Sequence, residues 1–385
     1  MPDQILRALR KVLPDPQRTY ALHEPQFKGQ ELNYVKDCIE TSMVSSVGAY
    51  VNKFERMLEE YTGAKHAIAV VNGTCGLHMA LKLAGVQSGD EVLVPALTFV
   101  ASANAVTYCG ATPHFVDSEE PTLGVDPEKL QAYLEKDTES RSGFRVNRKT
   151  GKVIRAMLPM HAFGHPARLK ELMKVAQDFQ IALVEDAAES IGSFYHGQHT
   201  GTFGLLGVLS FNGNKTITTG GGGAILTNDP ELARRAKHLT TTAKIPHAWE
   251  YRHDEIGYNY RMPNLNAALG CAQLEQLPAF LKAKQKLHGL YQKAFREIEG
   301  VALFSQSARC QSNFWLQTLI LQRGRERELE PILEKLHEQK ILARPAWTPL
   351  HQIAPFQSFP YMDLQTTENL AQRILNLPSS ATLGT

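Results

Sequence analysis

The stretch Ala67-Ile68-Ala69-Val70-Val71-Asn72-Gly73-Thr74-Cys75-Gly76-Leu77-His78-Met79-Ala80-Leu81-Lys82-Leu83 decides the fold. Its first five residues are apolar and too few for a helix, so they read as a short buried strand over 67–71. Asn72 to Gly76 make a small-residue turn that runs directly into a helix over 77–83. A strand, a tight turn and a helix in that order set free backbone N–H groups just beyond the strand's carboxyl end. That is a ready anion site, and equally what an ordinary N-cap by Asn72 or Thr74 produces. The turn has neither the Gly-Lys-Ser/Thr ending of a Walker loop nor the spacing of a dinucleotide fingerprint. Neither motif occurs elsewhere, and Gly201, Gly204 and Gly207 have the wrong first interval.

Outward from this unit, strands and helices alternate. Strands are expected at 91–94, 112–116, 156–160, 181–184 and 224–227, with helices around Ala103 to Thr107, at 169–179 and at 230–239. Alternation at this pace indicates an α/β fold with a mostly parallel central sheet and covering helices. Upstream, residues 1–30 are polar and proline-punctuated and read as an arm or irregular lead-in. A helix over 31–42 has Leu32, Val35 and Ile39 on one apolar face, and a second follows over 47–61. The charged, turn-rich segment 136–152 reads as an inserted surface hairpin or loop. Downstream, a helix from Asn264 carries the small apolar face Ala267, Ala268, Cys271 and Leu274, and an amphipathic helix covers 280–298. From Phe304 the texture changes to strand, helix and strand. The division expected is a large domain over 1–253 and a smaller α+β domain over 254–385.

Composition narrows the function. Apolar residues make up 43% of the chain and charged residues 21%, enough for a core without a disordered bias. With 41 basic against 39 acidic residues the net charge is +2, so no strong field draws in nucleic acid or a membrane surface. The five cysteines are scattered without metal-ligand spacing and read as reduced thiols, and no metal site is expected. With no apolar h-region after Met1 and no spanning apolar window, a cytoplasmic location is the expectation.

The chemistry centres on Ser210-Phe211-Asn212-Gly213-Asn214-Lys215-Thr216, followed closely by the glycines 220–223. A single lysine among small polar residues, beside a run that permits close backbone approach, reads as a reactive amine. The strand over 181–184 runs into Glu185-Asp186-Ala187-Ala188-Glu189-Ser190, which sets carboxylates where open α/β sheets place ligands. A helix N-cap by Asp186 is the plainer alternative. An anion turn at Thr74 and Cys75, a carboxylate at Asp186 and an amine at Lys215 together describe a holder for pyridoxal phosphate. The amine condenses with the cofactor's aldehyde to a Schiff base. A carboxylate beside the ring nitrogen keeps that nitrogen protonated and the ring a better electron sink.

These stretches resemble the sugar-nucleotide aminotransferase family of the DegT/DnrJ/StrS type, from Phe27-Lys28-Gly29 to Leu375-Asn376-Leu377-Pro378-Ser379-Ser380. The motifs that carry the likeness fall in the family's order. They are Asn72-Gly73-Thr74, Pro95-Ala96-Leu97-Thr98-Phe99, Glu185-Asp186-Ala187-Ala188, Ser210-Phe211 with Lys215, and Gly257-Tyr258-Asn259-Tyr260-Arg261. The resemblance implies a fold-type I, aspartate-aminotransferase-like architecture. Lys215 would be the Schiff-base lysine and proton carrier, Asp186 the partner of the ring nitrogen, and Phe99 the aromatic over the ring. Gly73, Thr74 and Cys75 with Ser210 would hold the phosphate, and Asn259 would reach it from the neighbouring subunit of a homodimer. Glu189 stands where the family often has glutamine or histidine; it is either protonated there or turned away. His161, His165, His351, Arg261, Arg344 and Trp347 could each touch substrate, or be structural.

The implied reaction moves an amino group from L-glutamate to a keto sugar on a nucleotide. The 136–152 insertion, the Asn214-Lys215 context and Arg344-Pro345-Ala346-Trp347 are similar to 4-aminotransferases of legionaminic-acid-type pathways. Their substrate is a nucleotide-linked 2-acetamido-4-keto-6-deoxy hexose, and their product serves surface glycans. A GDP-linked 4-keto-6-deoxymannose or a 3-keto sugar is the alternative. Dehydratases of the family replace the lysine with histidine, so Lys215 argues against them. A regulator on this fold would be expected to carry a basic extension, and an oxidoreductase the missing fingerprint.

Overall fold

In the computed structural model, which describes residues 1–385, the opening strand spans His66–Val70 and its helix begins earlier than expected, at Gly73–Leu83. The reason is the cap: the Asn72 side chain accepts the Cys75 N–H at 2.8 Å, so the turn is already the first helical turn. This strand is one edge of a seven-stranded sheet. The others follow in the order Gly223–Thr227, Leu206–Ser210, Ala182–Asp186, Ile154–Met157, Glu91–Pro95 and Thr112–Val116. Gly223–Thr227 runs against both its neighbours, and every other pair is parallel. The parallel strands therefore end along one edge of the sheet, where Pro95, Asp186 and Ser210 are found.

Side chains alternate between two apolar layers, as a pleated strand requires. Ile68, Val70, Val208 and Ile225 pack on one face, while Ala67, Ala69, Leu209 and Ala224 pack on the other. Gly223 is where strand and turn nearly touch: a Cβ there would lie 2.7 Å from the Asn72 carbonyl carbon. Gly220 turns the chain just before, with φ +78.

Several expectations are corrected. The lead-in is not irregular: Pro2–Arg10 is a helix whose Ile5, Ala8 and Leu9 pack with Leu329, Ile332 and Leu336. Its apolar spacing is helical, but polar neighbours hide it in a linear reading. Residues of the first helix thus pack with the C-terminal region, so a cut near Asp254 does not follow the packing. Nor do residues 264–298 form two helices. One helix, Asn264–Phe295, runs through Pro278 on a continuous apolar face that joins the large sheet's outer layer to the small sheet. The small sheet is antiparallel, in the order Val301–Leu303, Gln317–Leu321, Ile374–Leu377 and Arg344–Pro345.

The 136–152 segment is a hairpin, Thr138–Arg141 with Phe144–Asn147, tied to the sheet where Asn147 and Thr150 donate to buried Glu91. In the helix Glu31–Glu40 the apolar face is not covered by the chain itself: Leu32 is 79% exposed and Ile39 61%. The positions buried within the chain are Glu31 and Cys38. No helix is long and apolar enough to cross a membrane.

Candidate active site

A cavity of about 620 Å³ opens where the carboxyl edge of the large sheet meets the small sheet. Strand Leu206–Ser210 delivers Ser210 to its wall, and the loop beyond delivers Asn212, Asn214 and Lys215. That loop is fixed at both ends. Phe211 is fully buried edge-on against Phe54, and the Trp315 indole N–H donates to the Asn214 carbonyl at 2.7 Å. The Lys215 side chain is 12% exposed; its Nζ lies 3.2 Å from Glu189 Oε1 and 4.0 Å from the Trp315 ring centroid. The amine is thus held over an aromatic face and against a carboxylate, inside the cavity.

Strand Ala182–Asp186 ends in the second group. Asp186 is buried, with Oδ2 accepting the Ser102 hydroxyl at 2.6 Å and Oδ1 the Ala188 N–H at 3.2 Å. Burial raises its pKa; the hydrogen bonds from Ser102 and Ala188 and the charge of Lys215 pull the other way. Ser102 is in turn paired with Thr98 at 3.0 Å. Glu189 is also buried, and its Oε2 accepts the Phe163 N–H at 2.9 Å. Burial pushes its pKa up to about 7, against the opposing charge of Lys215 and the Phe163 hydrogen bond. Of the two expected alternatives, Glu189 turns toward the cavity, and its raised pKa makes the protonated form accessible near neutrality.

The third group is the start of helix Gly73–Leu83. Gly73 and Thr74 line the cavity beside Ser210, and a Cβ on Gly73 would meet Ser210 Cβ at 3.0 Å. Cys75 is a correction: its N–H is engaged by Asn72 and it does not line the cavity. Phe99, which precedes helix Val100–Tyr108, lines the opposite wall. The small sheet contributes Arg344 and Asn376, and Trp347, just beyond the strand Arg344–Pro345, stacks on Phe163 with centroids 4.7 Å apart.

Other expected substrate residues stand elsewhere. His161 is fully buried behind the wall; its Nδ1 accepts the Ala167 N–H, which leaves its proton on Nε2, 3.2 Å from Glu185 Oε2. His165 is enclosed edge-on by Phe304 and Phe314, and His351 faces Glu368 at 2.9 Å. None of these three lines the cavity. Arg261 donates to Asn259 Oδ1 at 3.0 Å, and both lie away from the cavity of their own chain. Sequence reasoning missed Ser102, Phe163, Trp315 and Asn376. Ser102, one helical turn beyond Phe99, was the one with a usable signal.

An anion-binding helix start, a buried carboxylate and an amine around one cavity fit pyridoxal phosphate at its phosphate, ring nitrogen and aldehyde. On this sheet they define a pyridoxal-phosphate-dependent aminotransferase of fold type I. Residues 25–385 match the DegT/DnrJ/EryC1/StrS aminotransferase family, and the chain belongs to that family. It is 36% identical to the GDP-perosamine synthase of Escherichia coli O157:H7, over 94% of this chain and 93% of that protein. Against the GDP-perosamine synthase of Caulobacter vibrioides it is 37% identical, over 93% and 92%. Among solved structures, a DegT DnrJ EryC1 StrS aminotransferase from Brucella abortus superposes with a TM-score of 0.82 at 27% identity, covering 91% of this chain and 90% of that one. The chain is a sugar aminotransferase that uses pyridoxal phosphate.

Proposed function

We propose that this enzyme moves an amino group from L-glutamate to C4 of a nucleotide-linked 4-keto-6-deoxy sugar, for a surface polysaccharide. The single observation that carries the chemistry is Lys215 Nζ inside the cavity, 3.2 Å from Glu189 and on the same wall system as Asp186. The likeness to two GDP-perosamine synthases favours a GDP-linked sugar of the 4-keto-6-deoxymannose kind over the 2-acetamido sugar of the legionaminic type.

When bound, pyridoxal phosphate supplies the aldehyde that takes the amino group and a ring that accepts electron density. The chain's own groups do the rest. The N–H groups of Gly73 and Thr74 with the Ser210 hydroxyl would hold the phosphate. Asp186, oriented by the Ser102 hydroxyl, would face the ring nitrogen and favour its protonated form. Lys215 Nζ must be neutral to accept a proton from the substrate carbon, and Glu189 Oε1 is placed to take the proton it gives up. Phe99 and the Trp347–Phe163 stack line the cavity and would cover a ring bound there.

The experiment is a panel of GDP- and UDP-linked 4-keto and 3-keto sugars offered with glutamate. Turnover confined to GDP-4-keto-6-deoxymannose supports the first reading; preference for a 2-acetamido-4-keto sugar selects the legionaminic one.

Two further results are expected. Glu189 has a folded pKa near 7 against an ordinary 4.5, so the native state holds an extra proton in that window and stability falls as pH rises through it. In apoprotein, the urea midpoint of the Glu189→Gln variant should fall less between pH 5 and 7.5 than that of the parent. Equal slopes would show that another group titrates.

The second concerns assembly as a homodimer with shared sites. Leu32, Ile39 and Val47 expose an apolar face, and the hairpin Lys244–Ile245 with Arg252–His253 carries Trp249 and Tyr251, 79% and 84% exposed. Patches of this kind mark contact surfaces. If Asn259 completes the partner's site, mixing inactive Lys215→Ala and Asn259→Ala chains restores about a quarter of parental activity, because half the dimers are mixed and each has one intact site. No recovery after subunit exchange would place Asn259 outside the site.

A further inference from the structure

Glu189 and Lys215 stand on different loops, one after strand Ala182–Asp186 and one after strand Leu206–Ser210. No backbone hydrogen bond joins the two loops. What joins them is a third segment, Ser312-Asn313-Phe314-Trp315, which leads into strand Gln317–Leu321 of the small sheet and is buried throughout.

The side-chain amide of Asn313 is the knot. Its Nδ2 donates to the Glu189 carbonyl at 2.8 Å and to the Ile191 carbonyl at 2.9 Å, and lies 3.3 Å from the Thr216 hydroxyl. Its Oδ1 accepts the Trp315 N–H at 2.7 Å, while the Asn313 backbone N–H donates to Ser193 Oγ at 2.9 Å. Carbonyls only accept and a backbone N–H only donates, so these partners admit one orientation of the amide. Trp315 carries the hold to the other side of the reactive lysine. Its indole N–H donates to the Asn214 carbonyl at 2.7 Å, and its own carbonyl accepts from Lys284 at 3.1 Å. The residues before and after Lys215, and the backbone of Glu189 itself, are therefore tied to one strap.

The strap is closely fitted. Phe314 has φ +47, a left-handed conformation that a phenylalanine keeps only where its surroundings impose it. Its ring stacks on His288 with centroids 4.1 Å apart. Gly164, at φ +94, follows the residue whose N–H anchors Glu189, and a Cβ on it would overlap Asn313 Oδ1. Asn313 itself does not line the cavity.

We infer that Asn313 is a positioning residue for the proton transfer, its amide setting the 3.2 Å separation between Glu189 Oε1 and Lys215 Nζ. This rests on the reading of Lys215 as proton carrier and Glu189 as its partner. A misplacement of about 1 Å by a change away from the chemistry can cost about 10²-fold in rate. The charges that face Glu189 are Lys215, which favours its ionised form, and Asp186, which opposes it. Loosening the strap moves Lys215 out of register, so Glu189 ionises at higher pH.

The test follows loss of the yellow colour when glutamate is added to holoenzyme, across pH. Asn313→Ala should slow it about 10-fold to 100-fold, with KM for glutamate within about twofold of the parent. The acid limb of the rate, where Glu189 must ionise to take the proton, should move to higher pH. In apoprotein the Glu189-dependent fall of the urea midpoint should extend to higher pH as well. Thr216→Val keeps the side chain's shape, removes only the hydroxyl, and should give a smaller change of the same kind. It carries the test if Asn313→Ala does not fold. Adding Asn313→Ala to Glu189→Gln should cost far less than adding it to the parent, because the two act on one step. The inference is overturned if Asn313→Ala and Thr216→Val lower the melting temperature but leave rate and pH profile parental, which makes the amide structural only. An equal cost of Asn313→Ala in the parent and in Glu189→Gln overturns it too. If Glu189→Gln alone keeps the parental acid limb, the pairing of Glu189 with Lys215 fails and the inference falls with it. That failure is told apart because it shows without any change at Asn313.

Discussion

Lys215→Ala is expected to lower turnover by ~10⁴-fold or more, the upper end of what a positioned proton carrier contributes. The geometry allows no substitute. The amine reaches the cavity from a loop fixed by the buried Phe211 ring and by the Trp315–Asn214 hydrogen bond, and the other buried lysine, Lys284, is engaged by two backbone carbonyls. Truncation also leaves Glu189 buried beside a void with only the Phe163 N–H to satisfy it. The variant should bind cofactor without the absorbance of the lysine adduct, and single-turnover absorbance with glutamate checks the rate. Retention of full turnover would falsify the assignment of Lys215.

The second large effect is at Asp186. Asp186→Ala is expected to lower turnover by on the order of 10²–10³-fold, the range measured when one preorganised electrostatic partner is removed from a dry site. Its carboxylate is buried, which raises its pKa, and the hydrogen bonds from Ser102 and Ala188 with the charge of Lys215 oppose that rise. The variant also strands the Ser102 hydroxyl, whose remaining neighbour is Thr98. Ser102→Ala should therefore reproduce a smaller part of the defect with the carboxylate still in place. The pH profile separates the roles: the loss in Asp186→Ala should shrink as pH falls and the ring nitrogen gains its proton from solvent. A loss constant across pH would mean that Asp186 acts by packing alone.

Glu189 shows where local chemistry exceeds a motif. From residue types alone, a glutamate at that position is either protonated or turned away. In the folded chain it is instead the nearest acid to Lys215, with one oxygen anchored to a backbone N–H and a pKa raised to about 7. Glu189 Oε1 lies 3.2 Å from the amine, within direct proton-transfer reach. The apolar face of Glu31–Glu40 makes the complementary point. Periodicity located Leu32 and Ile39 on one side of a helix, but a linear pattern cannot say whether that side meets its own core or a second chain.

What the sequence by itself determined is the mostly parallel sheet and the helix start after its first strand, and it singled out Lys215 and Asp186, which the fold brings to one cavity. All of these follow from local signals: short apolar strands, a capped helix start, and reactive side chains directly after strands. The hairpin at 136–152 was legible for the same reason. Tertiary structure alone decided which polar residues share the cavity. His161, His165 and His351 have the residue type for substrate contact, yet each ring faces structural neighbours. Ser102, Trp315 and Asn376 reach the site from segments far apart in the chain. The physical reason is that strand and helix signals act over a few residues. A cavity is made by whichever segments long-range packing brings face to face, and the helix Pro2–Arg10 docking on Leu329–Glu338 helps set that packing here.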